Sequence, residues 1–185
     1  MQYIVRAVES RLDHVGGYRA QIPEVKVLID RQRKIIGHFI KALAEAGNDA
    51  CVQMEDDVVL CDNFKERIET EIAKHPEALI QFFSMRKKDI DIGSRWDNNF
   101  INLQCFYLPP TYARQICEWF PRTPWDYSQD EIDGADSMMD DWLKSRKEKY
   151  WICVPNLVNH VIGSSVIDKR RFKNRVSKTF KKEAP

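Results

Sequence analysis

An excess of charge of one sign is missing from this chain. Lys and Arg number 29 against 28 Asp and Glu, for a formal net charge of +1. No global field therefore points to nucleic acid or to an anionic membrane. Long apolar runs are missing too: none approaches the length of a membrane span, and no apolar stretch follows a basic start, so no signal peptide is expected. A paired cysteine framework is absent. The five cysteines, Cys51, Cys61, Cys105, Cys117 and Cys153, are odd in number and widely spaced. Most lie in apolar runs, which points to reduced, buried thiols and away from a disulfide frame or a zinc site. No internal repeat is visible.

What is present suits one soluble globular domain. The 185 residues are 43% hydrophobic and 31% charged, enough for a single core. The most informative stretch runs from Ala50 to Phe64. Ala50–Met54 reads as a buried strand, Glu55-Asp56-Asp57 ends it, and the apolar trio Val58–Leu60 follows at once. Three adjacent carboxylates near a core are unfavourable unless a cation sits with them. For an all-oxygen cluster that cation is Mg²⁺ or Mn²⁺. The competing reading is an acidic surface turn.

Tyr3–Val5 and Val25–Asp30 read as strands, with a turn-like His14–Gly17 between them. Ile36, Phe39, Ile40 and Leu43 recur at helical spacing within Arg33–Ala46, and Gly47-Asn48 stops that helix. The strand carrying the acids follows, so the first sixty residues read as the start of a parallel α/β sheet. A helix from Phe64 puts Phe64, Ile68 and Ile72 on one face and ends at His75-Pro76. Ala78–Met85 and Phe100–Leu108 read as strands, with Arg86–Asn99 as a mobile charged loop between them. Pro109-Pro110 starts a helix with Tyr112, Ala113, Ile116 and Trp119 inward. Arg122–Ala135 reads as a loop. Asp136 caps a helix carrying Met139, Trp142 and Leu143, and Tyr150–Val154 is a last strand. The tail from Asp168 is basic.

This order of elements, with Glu55-Asp56-Asp57 as a DXD-like cluster ending the third strand, resembles a small GT-A-type glycosyltransferase. It is similar to lipopolysaccharide-type and short phage-encoded members. Four local features carry the resemblance: the acidic triplet, the strand and Pro-started helix of Phe100–Phe120, the Gly134-Ala135-Asp136 helix start, and Pro155–Ser165. It implies a GT-A-like (Rossmann-like) α/β domain over residues 1–167, its mostly parallel central sheet flanked by helices, with a basic helix or tail at 168–185. It also implies a nucleotide-sugar donor, most simply a UDP-sugar, and Mn²⁺ or Mg²⁺ bridging the diphosphate. A cytoplasmic location is expected, in a host cell if the chain is phage-encoded.

Roles follow by the resemblance. Asp57 and His160 would bind metal, with Glu55 facing the sugar or the metal's water shell. Asp56 would face ribose. Arg6 and Asp30 fall where this class binds base and ribose, and Arg33 would meet diphosphate or simply start its helix. Gly163 lets backbone approach phosphate while Ser164 and Ser165 donate to it, although a simple turn reads equally well. Asp136 is placed as the base of an inverting transfer, with Asp133 and Glu131 as substitutes. The competing role for Asp136 is a helix N-cap. A packed strand-edge histidine competes for His160.

For the acceptor, the basic tail with Arg170 and Arg171, together with Arg86, Lys88 and Arg95, would track phosphates, and Trp96 would stack on a base or sugar. A hydroxymethyl pyrimidine in DNA is the favoured acceptor. The alternatives are a saccharide or lipopolysaccharide glycosyltransferase, a metal-dependent nucleotidyltransferase or sugar-phosphate hydrolase, and a non-catalytic DNA-binding module. The tail also reads as a solvated terminal helix.

Overall fold

A computed structural model describes residues 1–31, 35–123, 134–161 and 175–183. Its frame is a seven-stranded sheet laid down by apolar strands. They are β1 (Gln2–Val8), β2 (Lys26–Asp30), β3 (Cys51–Glu55), β5 (Ile80–Gln81), β6 (Arg95–Asp97), β7 (Cys105–Leu108) and β8 (Tyr150–Ile152), in spatial order β2-β1-β3-β7-β5-β8-β6. A separate antiparallel ribbon joins β4 (Val58–Leu60) to β9 (Val158–His160). In the main sheet β2, β1, β3, β5 and β8 run one way, while β7 and β6 run against them. The expected α/β class and mostly parallel sheet are present.

Alternation along β1 sets the two layers. Tyr3, Val5 and Ala7 join one core with Tyr18 of α1 (Val15–Gln21), Ile22 just beyond it, and Ile68 and Ile72 of α3 (Phe64–Lys74). Ile4 points the other way, into a core with Ile36, Phe39 and Leu43 of α2 (Ile35–Ala46). Ala113 and Ile116 of α5 (Tyr112–Trp119) and Met139 and Trp142 of α6 (Gly134–Ser145) complete that second core. The layering follows from topology. The β1-to-β2 and β2-to-β3 connections move in opposite directions across the sheet, so connections of one hand place α1 and α2 on opposite faces.

Several expectations need correction. His14–Gly17 is not a turn: a 3-10 segment at Glu9–His14 leads into α1. Of Ala78–Met85 only Ile80–Gln81 pair as a strand. In Phe100–Leu108 only Cys105–Leu108 do, because Asn102 adopts φ 77° and its N–H donates to a side chain, Asp136 Oδ2, at 3.0 Å. Arg86–Asn99 is not a free loop. It contains α4 (Asp89–Ile92) and the edge strand β6, and its charges pair internally: Arg86 with Asp97 at 3.3 Å, Lys88 with Asp97 at 3.2 Å, and Arg95 with Asp89 at 2.8 Å. Asp136 is the third residue of α6, not its N-cap. Residues 175–183 form no helix and lie against the fold: Ser177 N–H donates to Asn159 Oδ1 at 2.8 Å and Phe180 packs on the first core. Among the described residues no helix is long and apolar enough to cross a membrane.

Candidate active site

The chain leaves β1 to pair β2 on one side and returns to place β3 on the other, so the connections diverge between β1 and β3. In open α/β sheets the crevice beyond the carboxyl ends of such a strand pair is where ligands bind. Register puts Arg6 beside Glu55 and Val8 beside Asp30 at this end of the sheet.

The acidic turn is built into that crevice. Glu55 ends β3, with its Oε1 3.6 Å from Arg6 Nη2. The buried Arg6 also donates to Leu103 O at 2.8 Å and lies 4.9 Å from the centre of the Phe39 ring. Asp56 Oδ2 accepts the Val8 N–H at 2.7 Å, tying the turn to the end of β1. Arg11 Nη1 bridges the next two acids, at 3.0 Å from Asp56 Oδ1 and 2.6 Å from Asp57 Oδ2. The Tyr18 hydroxyl, carried up by α1, lies 2.8 Å from Glu55 O and 2.9 Å from Val58 O, and accepts the Val58 N–H at 3.1 Å. The β4–β9 ribbon sets Val58 opposite His160, which brings His160 Nε2 to 3.2 Å from Asp57 Oδ2. Val161 N–H closes the corner on Asp57 O at 2.8 Å.

His160 Nδ1 donates to Val161 O at 2.7 Å, which turns Nε2 toward Asp57. Arg175 Nη2 lies 3.1 Å from Nε2. Burial pushes Glu55 up to about 7; Arg6 opposes this, and Asp57 and Asp136 reinforce it. Burial also raises Asp56 against the pull of Val8 N–H and Arg11. Burial acts upward on Asp57 as well, but the hydrogen bond and charge of His160 together with Arg11 outweigh it and hold Asp57 near 2. Adjacent carboxyls thus differ in proton affinity, a pattern typical of reactive sites.

Expected site residues divide into three groups. Arg6, Asp30, Glu55, Asp56, Asp57 and His160 meet at or beside the crevice. Asp136 belongs with them, since it accepts the Asn102 N–H at 3.0 Å and its charge acts on both Arg6 and Glu55. Arg86, Lys88, Arg95 and Trp96 do not: β6 is the far edge of the sheet, four strand spacings or roughly 19 Å from β3. Trp96 there packs edge-on against Trp151 and His75, with ring centres 5.4 and 5.3 Å away. Arg33, Glu131, Asp133, Gly163, Ser164, Ser165, Arg170 and Arg171 lie outside the described residues.

Sequence reasoning missed Arg11 and Tyr18, and read Arg175 only as one of the cations of the basic tail. The spacing Val15, Tyr18, Ile22 carried a helical signal that would have raised Tyr18 onto a buried face. Nothing local marks Arg11, whose partners lie 45 and 46 positions away.

Among the described residues no group of three or more His, Cys, Asp or Glu is arranged to hold a metal ion. Two donors do suit one. Asp57 Oδ1 is buried with no hydrogen-bond partner among the described residues, and His160 Nε2 lies beside the same carboxylate. A carboxylate oxygen and an imidazole nitrogen fit Mn²⁺ or Mg²⁺ that takes its remaining ligands from a diphosphate and water.

No family model matches the sequence, and no curated protein matches it. Among solved structures the chain is similar to A197 from STIV, with a TM-score of 0.57 and 15% identity over 88% of this chain and 87% of that one. A weaker similarity, with a TM-score of 0.45 and 11% identity, covers 80% of this chain and 68% of a Bacillus anthracis protein described as a glucose-1-phosphate thymidylyltransferase, solved in complex with a sucrose. At such identities the first likeness establishes the shared α/β fold; the second carries no argument.

Proposed function

We propose that this chain is a GT-A-type, metal-dependent glycosyltransferase that moves a sugar from a nucleotide-sugar to a hydroxyl. The observation that supports it is the position of Glu55-Asp56-Asp57: a turn at the β1/β3 divergence, pinned from three sides, with Asp57 Oδ1 buried and unpartnered.

In this reading Asp57 and His160 hold a divalent cation, with Glu55 at its water shell. When bound, that ion neutralises negative charge developing on the leaving diphosphate. Arg6, Asp30 and Asp56 hold the nucleoside, most simply uridine; Arg33, Ser164 and Ser165 remain proposed diphosphate contacts. Asp136 takes the proton of the acceptor hydroxyl as its oxygen bonds to the anomeric carbon. The bond from that carbon to the phosphate oxygen breaks, and its electron pair leaves with the nucleoside diphosphate. A single displacement of this kind inverts the anomeric centre.

The proposed acceptor is a hydroxyl compound, and a hydroxymethyl pyrimidine in DNA stays within that class. It draws no support from Arg86, Lys88, Arg95 and Trp96, which stand at the far edge, with the three cations paired to acids. The test is a screen of nucleotide-sugars in Mn²⁺ and in EDTA, against saccharides and hydroxymethylated DNA. A glycosylated product that requires the metal supports the reading. Metal-dependent exchange of sugar phosphate with nucleoside triphosphate, without transfer to a hydroxyl, would replace it with a nucleotidyltransferase.

A further inference from the structure

The C-terminal segment enters the same crevice. Asn159 Oδ1 accepts two backbone N–H groups, that of His160 at 3.0 Å and that of Ser177 at 2.8 Å. One side chain thereby locks the strand carrying His160 to the segment carrying Arg175. The fully buried Asn156 makes a second junction: its Oδ1 accepts Ser84 N–H at 2.9 Å and Ser177 Oγ–H at 2.7 Å, and its Nδ2 donates to Cys153 O at 2.7 Å. Asn156 N–H donates to Thr179 Oγ1 at 3.2 Å, Asp62 N–H to Lys182 O at 2.8 Å, and Phe180 packs on the core. So many fixed contacts hold a segment in one place; a tail that tracks solvent-side phosphates needs none of them.

What this docking delivers is a guanidinium. Arg175 Nη2 lies 3.1 Å from His160 Nε2, the nitrogen not fixed by Val161 O, whose single lone pair a metal ion would take, so metal binding would turn this guanidinium toward the ion's anionic ligand. Two guanidinium groups, Arg6 and Arg11, already face the three acids of the turn. A third, beside the imidazole and, among the described residues, in no ion pair with a carboxylate, suits an arriving anion. Its planar fork of N–H donors matches phosphate oxygens, and a fixed positive charge stabilises a diphosphate as it departs.

We propose that residues 175–183 are built into the donor site, with Arg175 binding the diphosphate of the nucleotide-sugar beside His160. This rests on the glycosyltransferase reading above. The full-length protein and its Arg175→Gln variant are compared by calorimetry in Mn²⁺, using uridine, guanosine, adenosine, cytidine and thymidine diphosphates and the matching monophosphates. Arg175→Gln is expected to weaken the bound diphosphate by about 10- to 100-fold, the span of a lost charge-assisted hydrogen bond. The advantage of diphosphate over monophosphate should shrink accordingly. Arg175→Lys, which keeps the charge without the fork, should recover part of the loss, and it serves as the readout if the Gln variant unfolds. Unchanged diphosphate affinity in the Gln variant, or equal weakening of diphosphate and monophosphate, overturns the assignment of Arg175 while leaving the donor site standing. A wild-type protein that binds no nucleoside diphosphate in Mn²⁺ overturns the glycosyltransferase reading, and this inference with it.

Discussion

Replacing Arg11 by Gln keeps much of the stem but removes the one positive charge that, among the described residues, touches both Asp56 and Asp57. At 3.0 and 2.6 Å each contact has a gross attraction of about 5–6 kcal/mol at an effective dielectric of about 20. Most of this is offset, because the guanidinium, 18% exposed, regains hydration when the pair is absent. The uncompensated carboxylates remain, and the net loss should be about 2–3 kcal/mol. For a chain of this size that lowers the melting temperature by roughly 5–10 °C. The effect has a signed pH dependence. Asp57 is depressed in the fold to about 2 from an ordinary value of 3.8. Its stabilising contribution is therefore fully present above pH 3.8 and is lost as pH falls toward 2. The melting difference between wild type and variant, measured by circular dichroism in EDTA, should be full at pH 7 and narrow through that acid window. Mn²⁺ should then raise the variant's melting temperature more than the wild type's, because the ion meets carboxylates with no competing guanidinium. Melting within about 1 °C of wild type at pH 7, or a gap that widens in acid, would refute the reasoning.

Asp57→Asn should retain the fold and lose at least about 100-fold in metal-dependent donor turnover, since several kcal/mol of charge stabilisation go with it; wild-type turnover in Mn²⁺ would remove Asp57 from the metal site. Asp136→Asn can still accept the Asn102 N–H, so donor affinity should hold while turnover falls by about 10²- to 10⁴-fold. Unchanged turnover would leave Asp136 a structural role, its bond to Asn102 included. Tyr18→Phe strips the hydroxyl from between Glu55 O and the Val58 backbone, leaving buried groups unpaired at about 2–3 kcal/mol. It should lower both melting temperature and donor affinity; a variant as stable as wild type would show that the turn holds without the clamp.

The acidic turn was legible because three carboxylates between Ala50–Met54 and Val58–Leu60 are hard to explain otherwise. The parallel strands were legible as apolar runs, and α2 by its period. Strand direction was not, because β7 runs against β3 with the same kind of buried residues that a parallel strand would carry. Arg86–Asn99 misled through its composition. Alternating Arg, Lys and Asp look solvated in sequence, yet Arg86, Arg95, Asp89 and Asp97 form ion pairs with one another at a folded edge. In the described part of the basic tail the neutral Ser177, Thr179 and Phe180 make the contacts to the fold, which its charged composition did not signal. Partners far apart in sequence, such as Arg11 with Asp57, leave no local trace.

The charge arrangement argues for a cation more strongly than the triplet alone. Arg11 could pair with both oxygens of Asp57 if it lay between them, but it meets only Oδ2, on the side shared with His160. Oδ1 stays buried without a partner among the described residues, at a cost of about 1–3 kcal/mol. The rest of the fold imposes that cost. Val8 N–H holds Asp56, Tyr18 holds the backbone on both sides, and Val161 N–H fixes Asp57 O, so the carboxylate cannot relax toward solvent. A turn with only a structural role gains nothing from keeping one carboxylate oxygen dry and unpaired. A site that must accept a divalent ion with its anionic ligand gains a preset oxygen that needs no reorganisation when they arrive.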